Sequence, residues 1–320
     1  MTASFRRLNQ FFARYPELAV VCHHRPDGDA IGSLFALGRF LSARGRLAEL
    51  YCFDRLPAYL SSVVDTSQVK SAPDDFWRSA PAALLLDCGD LRMSGLGADY
   101  FTDKHLAVLD HHLSNPVYGE VNCLDTQAAA TAEIIYRFFV YNRFIIDKTV
   151  ATALLLGIYT DTDGFSNLAT TAACLQAAAE LLKRGARFKD IVAHTKQKKT
   201  VTALKLWGRA LARLRLDKEQ SLAVTVIRER DLVECQARAE DSEGVANLLN
   251  YLAEVKMAMV LRELPDGTVK GSLRTTDELM DVAKVAKLWG GGGHAKAAGF
   301  TVKGRIEETA EGWKIVEQQK

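Results

Sequence analysis

The N-terminal part of the chain alternates between short apolar runs and longer stretches with apolar residues at helical spacing. The runs are continuous, which is typical of strands that are buried on both faces of a sheet. Strands that alternate with helices predict an α/β fold with a doubly wound, mainly parallel sheet. The predicted strands are 18–22, 47–53, 82–86 and 105–109, and the predicted helices are 31–41, 129–141, 148–159 and 170–183.

The pattern changes in the C-terminal part of the chain, where strand-like runs follow one another more closely. Pro265, Asp266 and Gly267 form a hairpin turn signal between two of these runs. Helical patterns lie between and after the runs, so a second, smaller α+β domain is predicted. Its predicted strands are 222–227, 257–264 and 269–273.

A polar and basic segment, 194–202, separates the two patterns and is interpreted as a linker or as the start of a connecting helix. The predicted division is therefore a first domain over 1–193 and a second domain over 203–320. In doubly wound sheets, ligands bind outside the carboxyl ends of the strands. The candidate chemistry of the first domain is therefore expected where its strands end.

Composition agrees with a globular protein and excludes several classes. The chain has 320 residues and a net charge of +2, which suggests two domains and gives no electrostatic argument for binding long duplex DNA. The six cysteines form no CxxC pair, so neither a disulfide framework nor a zinc–thiolate site is expected. Neither a signal peptide nor a membrane-spanning apolar stretch is visible, which predicts a cytoplasmic protein without a membrane partner.

The first group of chemically distinctive residues follows the first predicted strand. His23, Asp27 and Asp29 lie close together, with Gly28 between the two aspartates. The structural alternative is that Asp29 caps a helix, because a carboxylate is favoured where a helix begins. Three potential ligands so close together after a buried strand favour a functional site.

Further apolar segments are also followed by aspartate. Asp87 follows the third predicted strand, Asp110-His111-His112 follow the fourth, and Asp161 follows an apolar segment within a predicted helix. Taken alone, the groups at Asp87 and Asp161 are more simply explained as turns or caps. Because the ends of parallel strands meet at one edge of a sheet, the recurrence predicts that these side chains share one site.

Carboxylates that converge in this way repel one another unless positive charge holds them. Mixed carboxylate and imidazole ligands without cysteine suit Mn²⁺, Mg²⁺ or Fe²⁺. Several carboxylates, one of which can bridge, suit a pair of ions that stabilise the attacking and leaving oxygens of an in-line displacement. The pattern therefore predicts hydrolysis by a metal-activated water, without a serine or cysteine nucleophile.

The predicted C-terminal domain carries four consecutive glycines followed by a histidine. Glycines let backbone N–H groups approach an anion, and a helix beginning after them would add its dipole. The alternative is a flexible loop before a strand. An arginine at the end of a predicted strand is a further candidate for binding a terminal phosphate, although a lone arginine is usually solvated. The candidate substrate-binding residues are Arg274, Gly291, Gly292, Gly293 and His294.

Five segments are similar, in order, to the motifs of the DHH phosphoesterase superfamily with its DHH-associated C-terminal domain. They are HHRPDGDAIGS, LLLDCGD, LDHHLSNPVYG, TDTDGF and GGGGHAKAAG, and they cover nearly the whole chain. The length and the two-domain plan most resemble the branch of nanoRNases and pAp phosphatases. The resemblance implies an exonuclease for short oligoribonucleotides that also removes phosphate from adenosine 3′,5′-bisphosphate (pAp) to give AMP. It implies an active-site cleft between the domains.

The resemblance also implies partners and cofactors. Two divalent ions are expected, with Mn²⁺ preferred over Mg²⁺, Co²⁺ or Fe²⁺, and the substrates are expected to be short RNA or small nucleotides. A homodimer remains open, because strands of the second domain could pair between subunits.

Each clustered residue receives an implied role from its place in the motifs. His112 would face the scissile phosphate, and Asp110 would orient a histidine from outside the ligand set. Asp87 would belong to both ions, and Asp161 would be shared. The remaining implied ligands are His23 and Asp27 for one ion, and Asp29 and His111 for the other.

One position departs from the family pattern. Asp163 stands where the family usually has a glycine, and Gly164 follows one place later. This extra carboxylate could tune the ions or face solvent, so the geometry of this corner stays open.

Two other functions are weighed against the nanoRNase interpretation. A related phosphodiesterase would hydrolyse linear or cyclic dinucleotides such as pApA or cyclic di-AMP. A nucleotide-binding regulator without turnover is disfavoured, because every implied ligand is present in the sequence.

Overall fold

The computed structural model describes residues 1–195, 199–277, 279–309 and 312–316, apart from the side chain of His294. The chain divides into two compact units, Met1–Gln197 and Lys198–Lys320. Each unit has its own sheet and its own apolar clusters.

The N-terminal unit is built on six strands in one sheet. They are β1 (Glu17–Cys22), β2 (Leu47–Tyr51), β3 (Val69–Lys70), β4 (Ala82–Leu86), β5 (His105–Asp110) and β6 (Val121–Leu124). Their order is β3-β2-β1-β4-β5-β6, and every described pairing is parallel. The order reverses between β1 and β4, which is where sheets of this kind bind ligands beyond the carboxyl ends of their strands.

Helices pack against this sheet. They are α1 (Thr2–Arg14), α2 (Gly28–Ala43), α3 (Ala58–Val63), α4 (Asp75–Ser79), α5 (Thr131–Tyr141), α6 (Lys148–Asp161), α7 (Ala172–Lys183) and α8 (Phe188–Thr195). Two short 3₁₀ helices, Leu91–Ser94 and Ala98–Phe101, lie between β4 and β5. No helix among the described residues combines the length and apolar character needed to cross a membrane.

The predicted α/β fold is confirmed, because the apolar runs are buried on both faces of the sheet. Leu84 belongs to the larger core, formed with α1, α2, α5 and α6, whereas Leu85 faces a smaller cluster that includes Trp77 and Phe101. Within this unit the prediction missed α1, α3, α4, α8, β3 and β6. Phe5, at the start of the apolar face of α1, belongs to a helical pattern that amphipathic spacing could have revealed, whereas β3 and β6 are too short to give a clear pattern.

The C-terminal unit contains a second six-stranded sheet and a separate hairpin. The strands are β7 (Arg215–Asp217), β8 (Leu222–Ile227), β9 (Met257–Glu263), β10 (Thr268–Arg274), β11 (Gly292–His294), β12 (Ala297–Lys303), β13 (Arg305–Thr309) and β14 (Gly312–Val316). The sheet has the order β11-β12-β10-β9-β8-β7, and among the described pairings β8 and β9 alone are parallel. The helices are α9 (Val201–Ala212), α10 (Glu229–Cys235), α11 (Val245–Leu249) and α12 (Val282–Lys287), with a 3₁₀ helix at Ala239–Ser242.

The predicted α+β character and hairpin of this region are confirmed. β9 and β10 pair antiparallel, and Gly267 in their turn has a φ of +76°, which glycine adopts without strain. The predicted linker, 194–202, overlaps two helices at its ends, since α8 ends at Thr195 and α9 begins at Val201. Residues 196–198 of that predicted linker lie outside the described residues.

Candidate metal centre

The loop after β1 leads directly into α2. The Asp27 carboxylate caps this helix by accepting hydrogen bonds from the N–H groups of Asp29 and Ala30 at 2.9 and 3.0 Å. The expected alternative assigned the cap to Asp29, and this is wrong. Asp29 is instead fully buried within the first turn of α2, where an ionised carboxylate requires strong partners.

Asp29 finds partners in a distant part of the chain. Its two carboxylate oxygens accept hydrogen bonds from the N–H groups of Thr131 and Ala132 at 2.6 and 2.8 Å. Ser33, one turn further along α2, donates to the same carboxylate at 3.2 Å. The carboxylate is therefore held in one orientation at the beginning of α5.

Asp87 lies beyond the end of β4, at the reversal of strand order, and is almost completely buried. Its backbone has a φ of +58°, a left-handed conformation that costs a non-glycine residue about 1 kcal/mol or more. Its Oδ2 lies 3.3 Å from His23 Nε2, and its Oδ1 lies 3.5 Å from His111 Nε2. One carboxylate thus presents its two oxygens to two different imidazoles.

Asp161 approaches from a helix and not from a strand. It is the last residue of α6, and its Oδ2 lies 3.2 Å from His111 Nε2. Close packing of α2 against α6 brings Asp161 near Asp29. The absence of a side chain at Gly32 allows this packing, since a Cβ there would lie only 2.2 Å from the carbonyl oxygen of Ala153. The sequence pattern predicted the convergence from the ends of parallel strands, whereas Asp161 comes from the end of the predicted helix 148–159, which is confirmed as α6.

These side chains form groups in which one ligand atom from each residue lies within 4.8 Å of the others. Each group has the mixed carboxylate and imidazole composition that divalent ions such as Mn²⁺ accept. Asp87 belongs to two groups, and His111 also belongs to two. The groups found among the described residues are His23, Asp27 and Asp87; Asp29, His111 and Asp161; and Asp87, His111 and His112.

Hydrogen bonds orient two of the imidazoles. His23 Nδ1 lies 2.7 Å from the carbonyl oxygen of His24, and His111 Nδ1 lies 3.3 Å from that of Ala128. A carbonyl can only accept, so Nδ1 carries the hydrogen in both residues. In the neutral rings the lone pair is therefore on Nε2, which faces the carboxylates, as is typical of histidines that ligate metals.

The electrostatics of the cluster favour bound cations. Burial raises the pKa of Asp29 well above its ordinary value, and it raises that of Asp161 to about 7, with nearby carboxylates adding to both effects. Burial opposes protonation of His23 and His111, but their carboxylate partners outweigh it and raise the two pKa values to about 11 and about 10. The raised pKa values show that the excess negative charge of the cluster favours bound protons. Divalent ions would balance the same negative charge when they are bound.

His112 has a different environment. Its Nδ1 lies 2.7 Å from Asp110 Oδ1, and the hydrogen bond raises the pKa of His112. Asn115 donates to the other oxygen of Asp110 at 2.7 Å. Since Asp110 is fully buried, this chain of contacts fixes the His112 ring.

Neighbouring residues of the same motifs point elsewhere. The ring of His24 bonds to the carbonyl oxygen of Met93 at 2.8 Å, and Asp90 pairs with Arg92. Asp163, the departure from the family pattern, is exposed and belongs to none of the potential metal-binding groups found among the described residues.

The glycine run of the C-terminal unit does not precede a helix, so that expectation is wrong. It enters β11, which pairs with β12. A Cβ on Gly291 would lie 2.1 Å from the carbonyl oxygen of Gly299, and one on Gly293 would lie 2.6 Å from that of Ala297, whereas Gly292 has open space. Two of the glycines are thus required by packing of the hairpin. The predicted role of the His294 side chain lies outside the described part of the structure.

Arg274, the last residue of β10, lines a pocket of about 450 Å³ within the C-terminal unit. Its Nε donates to Asn247 Oδ1 at 2.9 Å, and burial lowers its pKa. Alternate residues of β10 share one face of the sheet, and Lys270 on that face lies opposite Arg262 of β9. The charged residues of the pocket are Glu240, Glu243, Arg262, Lys270 and Arg274.

Family models match both units. The model of the DHH family N-terminal domain matches residues 17–158, and the DHHA1 domain model matches residues 219–319. The chain is 30% identical over 285 residues to the bifunctional oligoribonuclease and PAP phosphatase NrnA of Thermus thermophilus, with 89% of this chain and 84% of the relative covered. A probable enzyme of the same description from Streptococcus mutans is 24% identical, with 93% of each chain covered.

Two further similarities concern a dinucleotide enzyme and the fold. The cyclic-di-AMP phosphodiesterase GdpP of Geobacillus thermodenitrificans is 27% identical over 90% of this chain and 45% of the relative. The crystal structure of an exopolyphosphatase-related protein from Bacteroides fragilis superposes with a TM-score of 0.84 at 23% identity, covering 97% of this chain and 93% of that chain. The latter similarity shows a shared fold.

Proposed function

This chain belongs to the DHH family, and from that membership and the arrangement of its clustered side chains we propose a metal-dependent phosphoesterase of short nucleotides. The proposed reactions are removal of single nucleotides from short oligoribonucleotides and hydrolysis of pAp to AMP and phosphate. The observation that carries the proposal is the meeting of three groups of potential ligands beyond β1, β4 and β5.

Two divalent ions are proposed, with Mn²⁺ as the first choice. His23 and Asp27 would hold one ion, Asp29 and His111 the other, and Asp87 both. Support for the sharing comes from the two oxygens of Asp87, each of which faces a different histidine. Asp161, next to His111, would be an additional ligand. When bound, such ions supply an activated water and stabilise charge on the phosphoryl oxygens.

The remaining residues of this cluster have proposed roles in orienting the substrate. His112 would contact the scissile phosphate, because Asp110 holds its Nδ1 and no hydrogen bond found among the described residues uses its Nε2. The raised pKa of His112 favours the charged ring, which attracts a phosphoryl oxygen. Asp110 would act through His112 and would not touch the substrate.

The pocket of the C-terminal unit is proposed to bind phosphate groups of nucleotides. Lys270, Arg262 and Arg274 line it, and several cations in one pocket suit the phosphates of a short nucleotide chain. The glycine run would contribute less than the sequence suggested, since Gly291 and Gly293 are already needed by the hairpin. Gly292 and His294 remain proposed substrate contacts.

A substrate panel with Mn²⁺ tests the proposal. The protein, Asp87→Asn and the control Asp90→Asn are each incubated with pAp and with RNAs of two to five nucleotides. We expect mononucleotides and phosphate from the wild type and from Asp90→Asn, whose parent residue is in the same motif but pairs with Arg92. Asp87→Asn should lose nearly all activity. Absence of product from every substrate would contradict the proposal.

A second candidate is a phosphodiesterase of dinucleotides, favoured by the similarity to the cyclic-di-AMP enzyme. Adding pApA and cyclic di-AMP to the same panel separates the two candidates. A kcat/KM for cyclic di-AMP above those for short RNA and pAp would favour the second candidate.

A further inference from the structure

Thr131, the first residue of α5, touches two of the proposed metal ligands at once. Its N–H donates to Asp29 Oδ2 at 2.6 Å, and its hydroxyl donates to Asp87 Oδ1 at 3.1 Å. Thr131 and Asp29 are fully buried, and Asp87 is 2% exposed, so water does not compete for these hydrogen bonds. We propose that Thr131 is a positioning residue, which fixes the Asp87 carboxylate in the orientation that two metal ions require.

Asp87 needs such a partner because its orientation decides what each oxygen faces. Its Oδ2 is directed to His23 and its Oδ1 to His111. The carboxylate follows a left-handed backbone at the end of β4, and rotation of its plane would withdraw both oxygens from their places. The Thr131 hydroxyl fixes the plane of the Asp87 carboxylate by a hydrogen bond to Oδ1 only. The second lone pair of Oδ1 stays available for a metal ion.

The same end of α5 holds Asp29. Ala130, the N-cap residue, makes no side-chain capping hydrogen bond. The Asp29 carboxylate, from a distant part of the sequence, caps the helix instead by accepting from the N–H of Thr131. The second bond, from the N–H of Ala132, is 2.8 Å long. The two N–H groups of this first helical turn therefore hold the Asp29 carboxylate in a fixed orientation towards the other proposed ligands. Thr131 thereby links two ligands that the sequence separates widely.

The turn before α5 is itself rigid. Glu133 accepts a hydrogen bond from the N–H of Ala129 at 2.8 Å and pairs with Arg137 at 3.0 Å. The carbonyl oxygen of Ala128, in the same turn, orients His111. A disturbance at Thr131 is therefore expected to reach the metal centre and not to be absorbed by the turn.

The test measures Mn²⁺ affinity by equilibrium dialysis, with no substrate present. Thr131→Val keeps the shape of the side chain but removes the O–H donor, and affinity should fall roughly 10- to 100-fold, as is typical when a partner of a metal ligand is lost. Thr131→Ser keeps the donor and should restore affinity to within about threefold of the wild type, on the order of the context variation of such effects. Thr152→Val is the control, because Thr152 is also buried and its hydroxyl makes hydrogen bonds away from the proposed ligands. It donates to the carbonyl oxygen of Lys148 at 2.7 Å and accepts from the N–H of Arg187 at 3.0 Å.

Thermal unfolding of each variant separates loss of metal affinity from loss of folding. Thr131→Val and Thr152→Val should unfold at similar temperatures, while only Thr131→Val binds Mn²⁺ weakly. Equal affinities of Thr131→Val and the wild type would overturn the inference, and so would an equal loss in Thr152→Val. If Thr131→Val does not fold, a comparison of Thr131→Ala with Thr131→Ser replaces it. The inference rests on the proposed metal binding, and failure of the wild type to bind Mn²⁺ would contradict that proposal instead.

Discussion

Close packing of two helices sets the distance between proposed ligands, and Gly32→Ala tests this directly. Gly32 lies on α2, three residues after Asp29, and faces α6, which ends at Asp161. A Cβ at this position would lie 2.2 Å from the carbonyl oxygen of Ala153. The obstacle is backbone, which cannot rotate away, so the helices must separate by about 0.8 Å to reach even a 3.0 Å contact.

Two opposing effects determine the stability of this variant. Replacing glycine by alanine within a helix stabilises it by about 1 kcal/mol. Overpacking of a core contact typically costs about 1–3 kcal/mol, and a backbone obstacle favours the upper part of that range. We therefore expect a net loss of roughly 1–2 kcal/mol. The displacement also exceeds the roughly 0.2 Å tolerance of metal–ligand distances several times, so Mn²⁺ affinity should fall at least about tenfold.

Gly208→Ala is the matched control for the helix-propensity effect. Gly208 lies in α9, and a Cβ there would meet no atom within 4 Å. This variant should be more stable than the wild type by up to about 1 kcal/mol and should bind Mn²⁺ with unchanged affinity. The assays are scanning calorimetry and equilibrium dialysis of Mn²⁺. The reasoning is refuted if Gly32→Ala matches Gly208→Ala in both.

Three further predictions concern other parts of the molecule. Gly291→Ala should destabilise the β11–β12 hairpin by roughly 1–3 kcal/mol, whereas Gly292→Ala, which has open space, should not, and equal thermal unfolding of the two would contradict the packing argument. Lys270→Ala should raise KM for short RNA without changing kcat, as expected when binding is uniform through the reaction, and an unchanged KM would remove the pocket from the proposal. Asp231→Asn should cost roughly 3 kcal/mol at pH 7, because it breaks a buried pair with Arg213. Burial would raise the pKa of Asp231, but the hydrogen bond from Arg213 outweighs burial and lowers this pKa in the folded protein. The stabilisation is therefore fully present above the unfolded-state pKa of about 4, and it is lost as the pH falls from there through the lower folded-state pKa. Urea titrations that find the same stability difference between the wild type and Asp231→Asn at pH 7 and at pH 3 would contradict this.

Much of the N-terminal unit could be predicted because its signals are local. A continuous apolar run such as 82–86 identifies a doubly buried strand, and the aspartate that follows it must lie at the strand end. Parallel pairing then brings Asp87 near His23 without further information. The amphipathic pattern of α1 was equally local, and it was missed although the signal was present.

What could not be predicted depends on contacts between distant residues. The sequence offers no sign that Asp29 caps α5, since its partners lie about a hundred positions away. The sequence also gives no signal for the hydrogen bond from the Thr131 hydroxyl to Asp87, because threonine is common at the start of helices. The role of the glycine run was mispredicted for a related reason. Gly291 is required by the close approach of β12, a contact that the sequence does not reveal, and not by a ligand.

The most direct test of the central claim is the dependence of pAp hydrolysis on Mn²⁺ in protein that has been exhaustively chelated. Phosphate release is followed while Mn²⁺ is added back in known amounts per chain. We predict no release before addition and full activity once two ions per chain are bound. Phosphate release that continues unchanged after chelation would contradict the account.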